Sequence, residues 1–272
     1  MTSEPPTFAD WPAHLPPPTS GTRLDGGWIA ATWRCRLADG REVVVKHSPH
    51  PAEGEADGLA ALRAAGVPTP EVIAVSGDLL VLALVDGAPD WGGLGAAIAR
   101  MHRTTGDRYG WHRDNHAGRF AQTNTWSDHW PSFFAEHRVR AHLRDPEVPR
   151  ELRLRLERAC DGPIQELLPA APPPSLTHGD LGHGNIVAGR WVIDPEVCFA
   201  DRELDLAFML SARRNPLPPE FWAAYQDVWP IPDDFDERRL VLGLHHRLLQ
   251  VRHFGSRCLA DLDDDLSALG WN

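Results

Sequence analysis

The chain has 272 residues, 42% of them hydrophobic and 24% charged, with a formal net charge of −11. Those values are typical of a globular protein large enough to bury a core without disulfide staples. The acidic balance argues against a broad nucleic-acid-binding face. The longest apolar run, LLVLALV at 79–85, is too short to span a bilayer. The Pro-rich opening, MTSEPPTFADWPAHLPPPTSG, lacks the basic start and apolar stretch of a signal peptide, so a cytoplasmic location is expected. Cys35, Cys160, Cys198 and Cys258 form no CxxC and are expected to be free thiols or small core residues.

In chain order, WIAATWRCRL and REVVVKH read as a hairpin over 28–47, with ADG as its turn. EGEADGLAALRAAG reads as a helix, with Leu59, Leu62 and Ala65 on one side, stopping at Gly66 ahead of Pro68. EVIAV and LLVLALV, joined by SGD, form a second hairpin. The chain then turns mainly helical. Helices are expected over 94–103, 128–143 and, with some strand-like alternation of Leu152, Leu154 and Leu156, over 151–168. PAAPPPS at 169–175 is extended and leads into a Gly-rich loop, after which IVAGRWVI reads as a short hairpin. Helices are expected again over 203–213, 218–228, 235–253 and 261–269. No repeat or long linker divides the chain. The expected fold is α+β, with a small β-rich N-terminal lobe over 1–86 and a larger, mainly helical C-terminal lobe over 87–272.

The loop HGDLGHGN (178–185), followed by VIDPE (192–196), admits two readings. One is a Gly-rich turn between strands. The other is a loop presenting carboxylate and amide oxygens to a metal-bound phosphate. In phosphoryl transfer the protein mostly positions groups and stabilises charge. Asp180 suits the orienting of a hydroxyl nucleophile, and Asn185 and Asp194 suit a hard cation. His178 would brace the loop. Lys46 closes an apolar strand, either as an exposed strand-end charge or as a phosphate ligand. Glu55, early in the next helix, is its candidate partner, although helix N-termini also favour acids. LDGGW places Gly26 and Gly27 before the first strand, where they could lie over phosphates or simply form a turn.

HGDLGHGN with VIDPE resembles the HGDLxxGN…IDP signature of the aminoglycoside phosphotransferase-like kinases. The wider chain resembles the fructosamine (ketosamine) kinase family through GGW, VVVK, EGEADGL, the block YGWHRDNHAGRFAQTNTWSDHWPSFFAEHRVRAHL at 109–143, ADRELDLAFM and VRHFG. The resemblance covers nearly the whole chain after residue 20. It implies a protein-kinase-like bilobal fold, ATP and Mg²⁺, and a small-molecule or glycated-amine acceptor, phosphorylated on the 3-hydroxyl of a fructosyl- or ribulosyl-amine. Such a product decomposes and frees the amine, a deglycation or repair activity.

By the same resemblance Asp180 is the catalytic aspartate, and Asn185 and Asp194 are the metal ligands. Lys46 and Glu55 form the phosphate-holding pair, and Leu82, Ala83 and Leu84 begin a hinge that runs to Asp86 and meets adenine. Asp205 is a buried brace for the catalytic loop. Asp114, Asn115, Gln122, Asn124 and His183 are candidate acceptor residues, with loop capping the competing use of the first four. One departure bears on the acceptor: the family loop reads HGDLW, and Gly182 stands where that Trp would be. A related kinase acting on another sugar, aminoglycoside or amino alcohol is the alternative, and a non-catalytic nucleotide-binding protein is the third. Histidines outside the loop, His245 and His246 included, are read as structural.

Overall fold

The computed structural model describes residues 6–24, 29–211 and 216–271. Five antiparallel strands open the fold: β1 (Pro18–Arg23), β2 (Ala31–Leu37), β3 (Glu42–His47), β4 (Val72–Ser76) and β5 (Leu79–Ala83), in the spatial order β1-β2-β3-β5-β4. Side chains alternate across a strand, so each β3 residue commits to one face. Val43 and Val45 bury with Cys35, Leu37, Leu79 and Val81 beneath Leu15. Val44 and Lys46 lie opposite Leu82 and Leu80 of β5, and helix α1 (Glu53–Ala64) covers Leu80 and Leu82 with Ala52 and Leu59. A fully buried Leu or Val contributes about 1.5–3 kcal/mol, so both faces of this small sheet are tied down. The β3 alternation thereby sends Lys46 toward α1. That helix stops where Gly66 takes φ +84° and Val67 N–H returns to Leu62 O at 3.0 Å.

Strand β1 has no apolar alternation and was not expected from sequence. Its PTSGTR residues are an edge, held by the backbone ladder to β2. Gly26 and Gly27 lie outside the described residues.

After β5 the chain builds α2 (Trp91–His102), the hairpin β6 (Asn115–Ala117) and β7 (Phe120–Gln122), and α3 (Trp130–Phe133). The helix expected over 128–143 is not uniform: α3 widens into a π-helical turn over Phe134–Val139 and tightens into 3₁₀ over Arg140–His142. The helix expected over 151–168 divides into α4 (Arg150–Asp161) and α5 (Pro163–Leu167), because Pro163 cannot continue the hydrogen-bond ladder. Leu152 and Leu156 are buried and Leu154 is 41% exposed, a helical rather than a strand pattern. Strands β8 (Ser175–Thr177) and β11 (Cys198–Ala200) pair antiparallel, and between them sits the small hairpin of β9 (Ile186–Val187) and β10 (Trp191–Val192).

Helices α6 (Glu203–Ser211), α7 (Pro219–Val228), α8 (Phe235–Phe254) and α9 (Leu259–Ala268) complete the chain. The start of α9 lies two residues before that expected, and Asp263 and Asp265 within it pair with Arg155 and Arg247. Helices α2 and α7 approach so closely at Gly95 that a Cβ there would lie 2.2 Å from Phe221 O. One core runs through this helical part, from Ile98 and Met101 of α2 to Leu244 and Leu248 of α8, and reaches Leu62 of α1.

Candidate active site

Lys46 leaves β3 on the α1 side, and its Nζ donates to both Glu55 carboxylate oxygens, at 2.7 and 2.8 Å. It also donates to Asp194 Oδ1 at 2.5 Å, across 148 residues of sequence. Burial alone would push the Lys46 ammonium down, but the Glu55 and Asp194 charges outweigh it, so it is held protonated above its ordinary value. Burial pushes Glu55 up to about 6, against the opposing pull of Lys46.

The loop from β8 to β9 is fixed through its backbone. Asp205, fully buried on α6, accepts the N–H groups of His178 at 2.7 Å and Gly179 at 2.9 Å. Burial by itself would raise this carboxyl; the His102 hydrogen bond and neighbouring His178 more than compensate and hold it below the ordinary range. His102 Nε2 meets Asp205 at 3.1 Å and its Nδ1 meets the Tyr225 hydroxyl at 2.8 Å. His178 Nδ1 accepts the Asp180 N–H at 3.2 Å, so its Nε2 carries the proton donated to Ile193 O at 3.0 Å. Burial lowers the His178 pKa, in keeping with this neutral form. Gly179 has φ +88°, and a Cβ there would stand 2.5 Å from Glu196 O. No other residue type fits that position.

Asp180 projects beyond this brace. Asn185 Nδ2 donates to Asp180 O at 2.7 Å and Oδ2 at 2.8 Å, which leaves the Asn185 side-chain oxygen for another partner. Burial pushes Asp180 up to about 7 despite the Asn185 amide, with the charges of Asp194 and Asp205 adding to the rise. Asp194 adopts φ +56°, a left-handed conformation costly for a non-glycine residue. The β9–β10 hairpin brings Asp194 back to Asn185, with Ile193 N–H on Asn185 O at 3.0 Å. Lys46, Glu55, Asp180, Asn185 and Asp194 all line one cavity of about 190 Å³.

Asn115 is on the wall of that cavity too, but the polar block around it is largely engaged internally. Asn115 Oδ1 accepts from Gln122 Nε2 and Asn124 Nδ2, each at 3.0 Å, and its Nδ2 donates to Val197 O. Asp114 accepts the Asn124 N–H at 2.8 Å, and Arg138, buried in the π-helical turn, donates to Asn124 Oδ1 at 2.6 Å. Gln122 Oε1 is buried without a partner among the described residues. His183 is exposed, its ring 5.8 Å from that of Trp91. Leu82 is buried in β5, Ala83 N–H bonds Glu71 O at 2.9 Å, and the strand ends there. None of residues 82–84 is a wall of the Lys46 cavity.

Three residues at the site were not expected there from sequence, His246 having been read as structural. Glu196 borders the Lys46 cavity and a second one of about 310 Å³ beside Asp180. Burial, with the charge of Asp180 beside it, pushes its carboxyl well above the ordinary range. Phe208 and His246 stack with ring centroids 3.8 Å apart on the wall of the second cavity, and His246 Nε2 bonds Gly179 O at 2.8 Å. A Cβ on Gly182 would meet the Phe208 ring at 3.2 Å, so the missing indole leaves an aromatic wall behind it. The Glu of VIDPE was visible as an acid beside a candidate metal ligand; nothing local in sequence marked Phe208 or His246.

The fructosamine kinase family model matches residues 14–268. A protein named probable ketoamine kinase from Escherichia coli O157:H7 is 34% identical over 266 residues, covering 90% of this chain and 91% of that protein. A solved candidate fructosamine-3-kinase from Thermobifida fusca YX-ER1 superposes with a TM-score of 0.83 at 27% identity, covering 94% and 95% of the two chains. The fold is shared more distantly with amicoumacin kinase hAmiN, solved with AMP-PNP and Ca²⁺, at a TM-score of 0.59 and 16% identity over 92% of this chain and 87% of that one. No described helix is long and apolar enough to cross a membrane. The chain belongs to the fructosamine kinase family of small-molecule kinases.

Proposed function

We propose that the chain transfers the γ-phosphoryl group of Mg-ATP to the 3-hydroxyl of a ketoamine, a fructosyl- or ribulosyl-amine, in cytoplasmic deglycation. The observation that carries this reading is the convergence of Lys46, Glu55, Asp180, Asn185 and Asp194 on one cavity. The donor set fits the group: an amide oxygen and a carboxylate are hard ligands, and Mg²⁺ commonly takes only one or two protein side chains, the remainder being phosphate and water. Bound Mg-ATP would supply the transferable phosphoryl group and the charge neutralisation around it.

The chain's own residues then have separate tasks. Lys46, held between Glu55 and Asp194, presents a fixed ammonium to phosphate oxygens. Asn185 and Asp194 hold the cation, and Asp180 accepts the hydrogen bond of the incoming hydroxyl and orients it. Residues 82–86 serve as the adenine-facing hinge between a nucleotide lobe, 1–86, and a catalytic lobe, 87–272. Asn115, Gln122 and their neighbours Asp114 and Asn124 shape the acceptor side, together with His183.

The test is Mg²⁺-dependent ADP release with fructosyl-lysine and ribulosyl-lysine, with Asp180→Asn as the control. Removing a preorganised group of this kind costs on the order of a hundred-fold or more in rate. Ketoamine-dependent turnover that survives undiminished in Asp180→Asn, or turnover of other hydroxyl compounds with none of ketoamines, rejects the assignment.

A further inference from the structure

Two enclosed acceptor atoms near Asp180 have no donor. Glu196 is 8% exposed; its Oε1 accepts the Gly118 N–H at 3.2 Å, and its Oε2 has no hydrogen-bond partner among the described residues. His246 is 5% exposed; its Nε2 carries the proton donated to Gly179 O, which leaves Nδ1 as a buried acceptor that is likewise unpartnered. A buried polar atom without a partner costs about 1–3 kcal/mol, so such atoms are rare unless something else meets them. Both residues belong to the wall of the 310 Å³ cavity that opens beside Asp180. Lys46 is already shared by Glu55 and Asp194 and is not on the wall of this second cavity. Ile29, Phe208, Leu249 and Phe254 give the cavity an apolar side, with Gln250 and His253 also on its wall, and Gly182 leaves its floor open.

We propose that Glu196 is a specificity-determining residue that receives the cationic amine of the acceptor, and that the 310 Å³ cavity beyond it takes an apolar substituent on that amine. The inference rests on the kinase reading above and narrows its acceptor class. With the reacting hydroxyl at Asp180, the amine N–H meets Glu196, and the substituent packs along Phe208, Leu249 and Phe254. The arrangement selects for a donor-bearing cation with an apolar tail and against a neutral acceptor of the same shape.

The experiment compares three acceptors: 1-benzylamino-1-deoxyfructose, its methylamino counterpart, and the neutral 1-O-benzyl ether. Wild type is expected to favour the benzylamine over each of the others by about tenfold or more in kcat/KM, the scale set by one charged hydrogen bond or one buried ring. Glu196→Gln keeps an oxygen for Gly118 N–H but puts an NH₂ donor where Oε2 would accept the amine N–H. It should raise the benzylamine KM by about ten- to a hundred-fold and the ether KM by no more than about threefold. Glu196→Asp, which retains the carboxyl, should keep a preference for amine over ether. Equal losses on amine and ether in Glu196→Gln would mean a structural role and overturn the proposal, as would a methylamine used as well as the benzylamine. Turnover of none of the three, with no ADP release from fructosyl-lysine or ribulosyl-lysine either, would remove the kinase reading and this inference with it. Turnover without the Glu196 signature removes the inference alone.

Discussion

Replacing Asp205 by Asn removes a single charge from the interior, and the structure sets the size of the effect. Asp205 accepts three hydrogen bonds, from His178 N–H, Gly179 N–H and His102 Nε2, and is fully buried. An Asn side chain offers one acceptor oxygen and an NH₂ group, so at least one backbone N–H of the loop must face a donor. Hydrogen bonds to charged groups are worth about 1.5–3 kcal/mol, and breaking a buried pair costs about 3–5 kcal/mol. A net loss of roughly 2–5 kcal/mol is therefore expected, a large share of the 5–15 kcal/mol that holds a typical domain together. For a chain of this size each kcal/mol moves Tm by about 2–4 °C, so differential scanning calorimetry should show a fall of about 4–20 °C. Activity measured well below the new Tm should also fall, because the loop amides no longer fix Asp180 and Asn185. A variant melting within 1–2 °C of wild type, with unaltered turnover, would refute the reasoning that this carboxylate organises the loop.

Two further outcomes follow from packing and charge. Gly95→Ala places a methyl 2.2 Å from Phe221 O and must push α2 from α7, so Tm should drop by several degrees without any change in KM for ATP. Burial, reinforced by the Arg252 and Arg138 charges, pushes His142 down to about 3 in the folded protein, whereas the unfolded chain takes up that proton near pH 6.5. The stability this neutral histidine permits is complete above about pH 6.5 and declines as pH falls toward the folded value, by about 2 kcal/mol at pH 5. Asp201, raised to about 7 by burial and by Glu203, acts in the opposite direction over the same window, so the informative quantity is a difference. The stability deficit of His142→Asn relative to wild type should shrink by about 2 kcal/mol between pH 7.5 and pH 5, and a deficit constant with pH would contradict this.

What the sequence disclosed depended on how local the cause was. The hairpins over 31–47 and 72–83 announce themselves through β-branched runs and Gly-containing turns, and α1 through its apolar spacing and Gly66. Strand β1 exists because β2 offers an edge, and β8 and β11 exist because three residues of each meet across 20 residues of loop; none has an internal pattern. The π-helical turn likewise answers to Arg138, whose guanidinium needs Thr123 O and Asn124 Oδ1. At the site, spacing in HGDLGHGN and VIDPE was enough to place Asp180, Asn185 and Asp194 together, and the strand-lysine, helix-glutamate order anticipated the Lys46–Glu55 contact. The link from Lys46 to Asp194 was not legible, since it joins two parts of the chain that share no local pattern. Glu196 was overlooked for a related reason: a solvated acid after Asp-Pro and a buried one are the same letter. His102 looked like an ordinary helix-end residue, and only the fold reveals it enclosed between Asp205 and Tyr225.

The brace on the HGDLGHGN loop also bears on the order in which the molecule comes apart. His178 and Gly179 amides are tied to α6, through His102 to α2, and through Tyr225 to α7, where Arg202 joins by bonding the Tyr225 hydroxyl at 3.2 Å. Functional loops ordinarily belong to the least protected parts of a protein. Here the first two residues of the loop donate to a buried carboxylate that is itself linked to three helices, so their exchange is expected to approach that of global opening. The turn at His183 is exposed. Local breathing is expected there first, while the backbone beneath Asp180 should stay registered until the fold itself is lost.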